Sequence, residues 1–144
     1  MTERTIREII VGQELLTASA SMTVAEAAKL MRQRNVGAMM VVDGDKLAGV
    51  FTERDALFRV VAAGLDVGKT PLSMVMTKNP QSISPERSFV QALAMMHEGR
   101  YRHLPVVENG RPVGMVSVRD AFGPELEAFV YEILRQEQAS QILA

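Results

Sequence analysis

Two short stretches carry the residue types with most to offer chemically: Thr52-Glu53-Arg54-Asp55 and Ser117-Val118-Arg119-Asp120. In each, a hydroxyl is followed three positions later by a carboxylate. If each stretch opens a helix, the unpaired amides of that first turn attract an anion, and the hydroxyl can donate to a phosphate oxygen. An ionised Asp only accepts, and its two oxygens can receive two neighbouring O–H groups, such as the vicinal diol of a ribose. Sugar on the carboxylate and phosphate on the helix end describe a nucleotide site. The same residues also read as pure scaffold. A hydroxyl at N-cap with an acid three residues on resembles a capping box, although Glu or Gln is the better-attested partner. The acid also favours the positive end of the helix dipole by about 0.3–1 kcal/mol. Capping alone, however, requires neither the Arg-Asp-Ala run nor the Gly three residues before the hydroxyl. Both are shared by GVFTERDA at 49–56 and GMVSVRDA at 114–121.

The two stretches stand 65 positions apart, and the elements that must hold them repeat at the same interval. Ser19 to Ala56 aligns with Ser84 to Ala121 without a gap, with identities that include Ala27/Ala92, Met31/Met96, Val41/Val106 and Gly49/Gly114. Thr23 and Ser88 are expected N-caps. Val24, Ala27, Ala28, Leu30 and Met31 then recur at helical spacing, matched by Phe89, Ala92, Leu93, Met95 and Met96. An apolar run follows (AMMVV or LPVV), then a turn (DGD at 43–45 or ENG at 108–110), then a second apolar run (LAGVF or PVGMV). Thr52 or Ser117 opens another short helix, the first ending near Gly64. Ahead of each unit, Ile9-Ile10-Val11 aligns with Met74-Val75-Met76, before a short strand near Ala18 or Ile83. The predicted order per copy is strand, helix, strand, strand, helix, an α/β (α+β) arrangement with pseudo-twofold symmetry. The expected divisions are repeat 1 at 5–64, a linker at 65–71, repeat 2 at 72–123 and a C-terminal amphipathic helix at 124–144.

The unit, its length, the Gly-apolar-x-[Thr/Ser]-x-x-Asp ending and the phrase YRHLPVVENGRPVGMVSVRDA resemble the cystathionine-β-synthase (CBS) domain, here as a tandem pair of the stand-alone signal-transduction type. The resemblance runs from about Thr5 to Gly123. It implies that Asp55 and Asp120 hold a ribose, that Thr52 and Ser117 approach phosphate or sugar, and that strand residues sandwich the adenine. The candidates for that lining are Gly37, Ala38, Met39, Leu104 and Pro105. The family's ligands include AMP, ADP, ATP, NAD and S-adenosylmethionine.

The duplication is chemically asymmetric. Arg102-His103 aligns with Gly37-Ala38, so a planar guanidinium fork and a donor tunable near neutral pH stand opposite two small residues. One reading is a solvated turn plus a strand-capping histidine; the other is a phosphate clamp serving either cleft. The small residues of the first copy let a flat ring approach the backbone. The two sites are therefore expected to differ in ligand or affinity. With a single Arg-His pair for phosphate and no acidic cluster to cage Mg²⁺, AMP or NAD is favoured over ATP or ADP. Arg54 and Arg119 suit a surface or dimer role as well as ligand contact, and most of the ten methionines read as core filling.

Composition bounds the rest. The 144 residues suit one compact domain, with 47% hydrophobic and 23% charged residues and a formal charge of −1. No basic excess exists to neutralise a phosphate backbone, so nucleic acid is not an expected partner. Without cysteine and with two histidines, thiolate and His-rich metal sites are not expected, and no metal is. No nucleophile–base grouping or metal-ligand spacing points to an enzyme. No run has the length of a membrane span, and MTERTIREII lacks a secretory apolar core, so cytoplasmic location is expected. After Gly123, Pro124 suits a first turn, and Leu126, Phe129, Val130, Ile133 and Leu134, extended by Ile142 and Leu143, form one stripe. The stripe covers the pair's own core or forms the seam of a homodimer. The expected function is a non-catalytic sensor of adenine nucleotides that signals through conformation, dimer geometry or an unidentified effector protein. The alternative is an oligomerisation or interaction module with vestigial pockets.

Overall fold

A computed structural model describes residues 4–143; the side chains of residues 122, 124–130 and 142–143 lie outside the described set. In chain order the elements are α1 (Ile6–Ile10), β1 (Thr17–Ser19), α2 (Val24–Arg34), β2 (Ala38–Asp43), β3 (Lys46–Thr52), α3 (Glu53–Asp55), α4 (Leu72–Val75), β4 (Thr77–Lys78), α5 (Phe89–Gly99), β5 (His103–Glu108), β6 (Arg111–Ser117) and α6 (Pro124–Leu143). α3 continues as a π-helix, Ala56–Val61, and β6 runs into a 3-10 helix, Val118–Phe122. The pseudo-twofold relation is visible residue by residue. Thr23 and Ser88 close capping boxes with Glu26 and Gln91, each satisfying two otherwise unpaired amides. α2 and α5 both end on a left-handed residue, Asn35 at φ 54° and Arg100 at φ 57°. β2–β3 and β5–β6 are antiparallel hairpins with bulges at matching places, Val41/Val42 and Val106/Val107. Ala18 pairs in parallel with Val41, and Ile83 forms the equivalent parallel bridge to Val106.

The segments ahead of each repeat are exchanged. Ile6 and Ile10 of α1 are buried among Ile83, Phe89, Met96 and Leu104, the core of repeat 2. Leu72, Val75 and Met76 are buried among Val24, Met31, Met39 and Phe51, the core of repeat 1. The Ile6 amide donates to Arg87 O at 2.9 Å, and the Leu72 amide donates to Met22 O at 2.8 Å. The exchanged helices are also one position off the main repeat: their N-caps, Thr5 and Pro71, each bridge the cap of the other repeat's long helix, Ser88 and Thr23. Each repeat therefore lacks part of its core until the other is present.

This exchange explains the glycine of the repeated motif. A Cβ at Gly49 would stand 2.6 Å from Met76 Sδ and 2.9 Å from Thr77 O, and one at Gly114 would stand 2.8 Å from Ile10 Cγ2. Gly49 and Gly114 are where the incoming segment lies against the hairpin. At the first site β4 pairs with β3, Gly49 opposite Lys78. At the second, the Gln13 side chain takes that part: its Nε2 donates to Met115 O at 2.7 Å and its Oε1 accepts from Met115 N at 2.9 Å.

In α6, Tyr131, Ile133 and Leu134 are exposed. The other members of the expected stripe, Leu126, Phe129, Val130, Ile142 and Leu143, lie outside the described side chains. Among the described residues no helix is long and apolar enough to cross a membrane.

Candidate functional site

Both Thr/Ser-x-x-Asp turns form at the C-terminal ends of the hairpins, where β3 and β6 pass into helix. Thr52 Oγ1 accepts from the Asp55 amide at 3.1 Å, and Asp55 Oδ2 accepts from the Thr52 amide at 3.0 Å. Asp55 is 8% exposed, and its Oδ1 lies 3.5 Å from Arg59 Nε. In the second copy, Asp120 Oδ2 accepts from the Ser117 amide at 2.8 Å. The aspartates therefore are capping residues. A carboxylate that gives Oδ2 to a cap retains lone pairs for further donors.

Each turn also lines a cavity, and the two cavities obey the pseudo-twofold relation. The first, of about 430 Å³, joins Ser117, Arg119 and Asp120 of repeat 2 to the turn between α2 and β2, where Asn35, Gly37 and Ala38 stand. Gln13 to Leu16, leading into β1, close one side. The second, of about 400 Å³, joins Thr52, Arg54 and Asp55 of repeat 1 to Arg100–His103, between α5 and β5, with Asn79, Pro80 and Gln81 alongside. Each cavity is thus built from the motif of one repeat and the helix–strand turn of the other. Volumes of this size accommodate a small organic ligand.

The asymmetry lies at the wall between them. Arg102, His103 and Glu53 line both cavities. Their pseudo-equivalents Gly37, Ala38 and Val118 line only the first. The Glu53 amide donates to Gly37 O at 2.9 Å, and a Cβ at Gly37 would stand 3.0 Å from Glu53 Oε1. Gly37 is thus a place where a carboxylate, rather than an open face, covers the backbone. Burial holds the His103 imidazole below its ordinary 6.5; Arg102 acts in the same direction, while Glu53 and Asp120 oppose it. His103 is therefore neutral near pH 7. Burial raises the Tyr101 phenol, with Glu98 adding to the shift, and its O–H donates to Gln81 across the second cavity.

Arg7, Arg111 and Arg135 pair with carboxylates away from the cavities, whereas Arg34 and Arg59 pair with Glu14 of the first cavity and Asp55 of the second. Among the described residues, Arg32, Arg102 and Arg119 of the first cavity and Arg100 of the second make no ion pair, and Arg54 only stacks over Phe58, at 5.3 Å from the ring centre. Guanidinium groups without carboxylates in a concave site are placed to meet an anion.

Of the residues singled out from sequence, Thr52, Asp55, Ser117, Asp120, Arg102, His103, Gly37 and Ala38 line the cavities. Met39, Leu104 and Pro105 do not: each is fully buried, with Met39 and Leu104 packed into the two cores. The physical reason for Met39 is strand alternation, because its neighbours Ala38 and Met40 are the β2 residues that line the first cavity. Arg32, Arg100, Tyr101, Glu53 and the segments 13–16 and 79–81 were not anticipated. The three positions 14–16 and 79–81 do carry a usable signal, since the 65-residue shift lays one set over the other. Among the described residues no group of acids and histidines is arranged to hold a metal ion.

The model of the family described as CBS domain matches residues 6–62 and 72–123. The chain belongs to this family and carries two CBS domains in tandem. The CBS domain-containing protein CBSCBSPB1 of Arabidopsis thaliana is 40% identical over 117 residues; the match takes in 81% of this chain but 21% of that protein's length. The CBS domain-containing protein YhcV of Bacillus subtilis is 40% identical over 107 residues, spanning 74% of this chain and 76% of YhcV. Among solved structures, a putative signal-transduction protein with CBS domains from Burkholderia ambifaria superposes with a TM-score of 0.76 at 34% identity, covering 81% of this chain and 89% of that one. The CBS domain pair of MJ0100, solved with 5′-methylthioadenosine and S-adenosyl-L-methionine, shares the fold at 24% identity, with a TM-score of 0.74 over 83% of this chain and 94% of that one.

Proposed function

We propose that this CBS pair is a non-catalytic sensor that binds an adenine nucleotide, AMP or NAD in preference to ATP or ADP, in the clefts between its repeats. The observation that carries the reading is the pairing, in each cavity, of a helix-opening hydroxyl and carboxylate with arginines that have no carboxylate partner. Asp55 and Asp120 accept the ribose hydroxyls; Thr52, Ser117 and the guanidinium groups meet the phosphate. The charges limit the ligand. The first cavity sets Arg32, Arg102 and Arg119 against Glu53 and Asp120, its Glu14 being paired with Arg34, and the second sets Arg54, Arg100 and Arg102 against Glu53, its Asp55 being paired with Arg59. Neither offers the excess that a triphosphate without a bound cation requires. Because each cavity takes residues from both repeats, a ligand that fits one arrangement of the repeats better than another shifts their balance. A homodimer or an effector protein reads the change. Native mass spectrometry of freshly purified protein tests the reading: retained nucleotide appears as a mass increment, and titration with AMP, NAD and ATP ranks them.

One observation favours a second reading, an interaction module with vestigial pockets. Both carboxylates already serve as caps, and the π-helix beside the second cavity leaves Leu57, Phe58 and Val61 exposed, the last at 65%. Calorimetry that registers no heat with any of the three nucleotides, on protein stripped of ligand, supports this reading over the first.

A further inference from the structure

The wall between the cavities makes them unequal and mutually dependent. Arg102 is exposed, and among the described residues its guanidinium has neither a hydrogen bond nor an ion pair to restrain it. Its backbone is held: Arg102 O accepts from Val118 N at 3.1 Å, and His103 pairs with Ser117 across the hairpin. A fixed main chain with an unrestrained fork, lining two cavities at once, can serve either. It serves them unequally, because a bidentate grip on one phosphate commits one edge of the fork and leaves the other cavity only its remaining N–H groups. The pseudo-symmetric positions hold no second clamp, since Gly37 and Ala38 stand where another Arg and His would be; each cavity keeps only its own unshared cations, Arg32 and Arg119 in the first and Arg54 and Arg100 in the second. Glu53, also on the wall, lines both cavities, so its charge disfavours a second anion in the one that has lost the clamp.

We propose that Arg102 and His103 form a single anion clamp shared by the two cavities, so that a phosphorylated nucleotide in one lowers the affinity of the other for a second phosphorylated nucleotide. Ligands without phosphate escape this antagonism. The inference rests on the nucleotide reading above and adds a coupling between its sites. It also gives the pair a sensing behaviour that two independent pockets lack: the first equivalent of nucleotide binds well, and the second registers only at much higher concentration.

Calorimetric titration of the full chain with AMP and, separately, with adenosine tests the coupling, with Arg102→Ala as the variant. Because Arg102 is exposed and makes no side-chain bond, its removal leaves the fold intact; His103→Gln is a second variant. For the wild type, the two AMP constants should be separated at least about tenfold more than the two adenosine constants, the lower end of what one charge-assisted hydrogen bond contributes. In Arg102→Ala the AMP separation should fall to that of adenosine. A single AMP step against two for adenosine is the limiting form of the same antagonism. Equal separations for the two ligands in the wild type, a single step for both, or an AMP separation that persists in Arg102→Ala overturns the shared clamp while leaving nucleotide binding in place. Binding of neither ligand overturns the nucleotide reading itself, and the clamp with it.

Discussion

Replacing both motif aspartates by asparagine separates their capping role from their proposed grip on a ribose. Asn keeps a carbonyl oxygen for the N-cap amides that now donate to Asp55 at 3.0 Å and Asp120 at 2.8 Å. What is lost without ligand is the charge at each helix start, about 0.3–1 kcal/mol per site. The Arg59–Asp55 pair, long at 3.5 Å and half exposed on the arginine side, adds little. At roughly 3 °C per kcal/mol for a chain of this size, the unliganded double variant should melt about 2–6 °C below wild type. The ligand response should change far more. Hydrogen bonds to a charged acceptor contribute about 1.5–3 kcal/mol against about 0.5–1.5 for a neutral one, a difference near 1.4 kcal/mol, or about tenfold in affinity. At a free AMP concentration about 100 times the wild-type Kd, each occupied site stabilises wild type by about 2.7 kcal/mol; at tenfold weaker affinity the gain is about 1.4 kcal/mol. Differential scanning fluorimetry with and without AMP should therefore show the AMP-induced shift cut to about half. An AMP shift of undiminished size in Asp55→Asn/Asp120→Asn, alongside the small loss without ligand, refutes the ribose assignment and leaves both residues as caps.

Three further outcomes follow from the packing and the buried histidine. Gly114→Ala forces a Cβ to within 2.8 Å of Ile10 Cγ2 and should cost about 1–3 kcal/mol by urea denaturation, more than Gly110→Ala if the exchanged helix, rather than turn geometry, sets the constraint. Met39→Ala, at 0% exposure, should cost about 2–5 kcal/mol, read in the same denaturation assay, and leave the AMP constant of the folded protein within a fewfold of wild type, because the residue packs in the core and not in a cavity. Since burial lowers the His103 pKa, the unfolded chain takes the proton first as pH falls below about 6.5; stability is full above that value and declines until pH passes the folded value. His103→Gln should flatten the part of the pH–stability curve that falls as pH drops through about 6.5, whereas an unchanged slope would assign the loss to other groups.

The repeat was legible because its signals are local. N-caps, helical spacing, hairpin turns and the motif endings recur at 65 residues, and the fold keeps all of them, down to the bulges at Val41/Val42 and Val106/Val107. The exchange of α1 and α4 was not, because Ile6 and Leu72 are equally apolar wherever they dock; only long-range contacts decide which core receives them. The motif glycines were recognised as needing an explanation, but the explanation, Ile10 and Met76 lying against the hairpins, is tertiary. Within the site, residues with distinctive chemistry stood out. Met39, Leu104 and Pro105 sit in unbroken apolar runs, where alternation cannot say which face meets a cleft. Arg32 and Arg100 close their helices as ordinary surface cations would, and only the cavities distinguish them from Arg34, which pairs with Glu14.

Each of two grooves is held to grasp a sugar's adjacent hydroxyls by the acid of its own motif. Crystallisation of the protein with AMP tests this most directly. The expected density places the ribose oxygens within hydrogen-bond distance of Asp55 in one groove or Asp120 in the other, with the phosphate toward Arg102. Nucleotide bound elsewhere, or bound there with both aspartates turned only to their own main-chain amides, contradicts it.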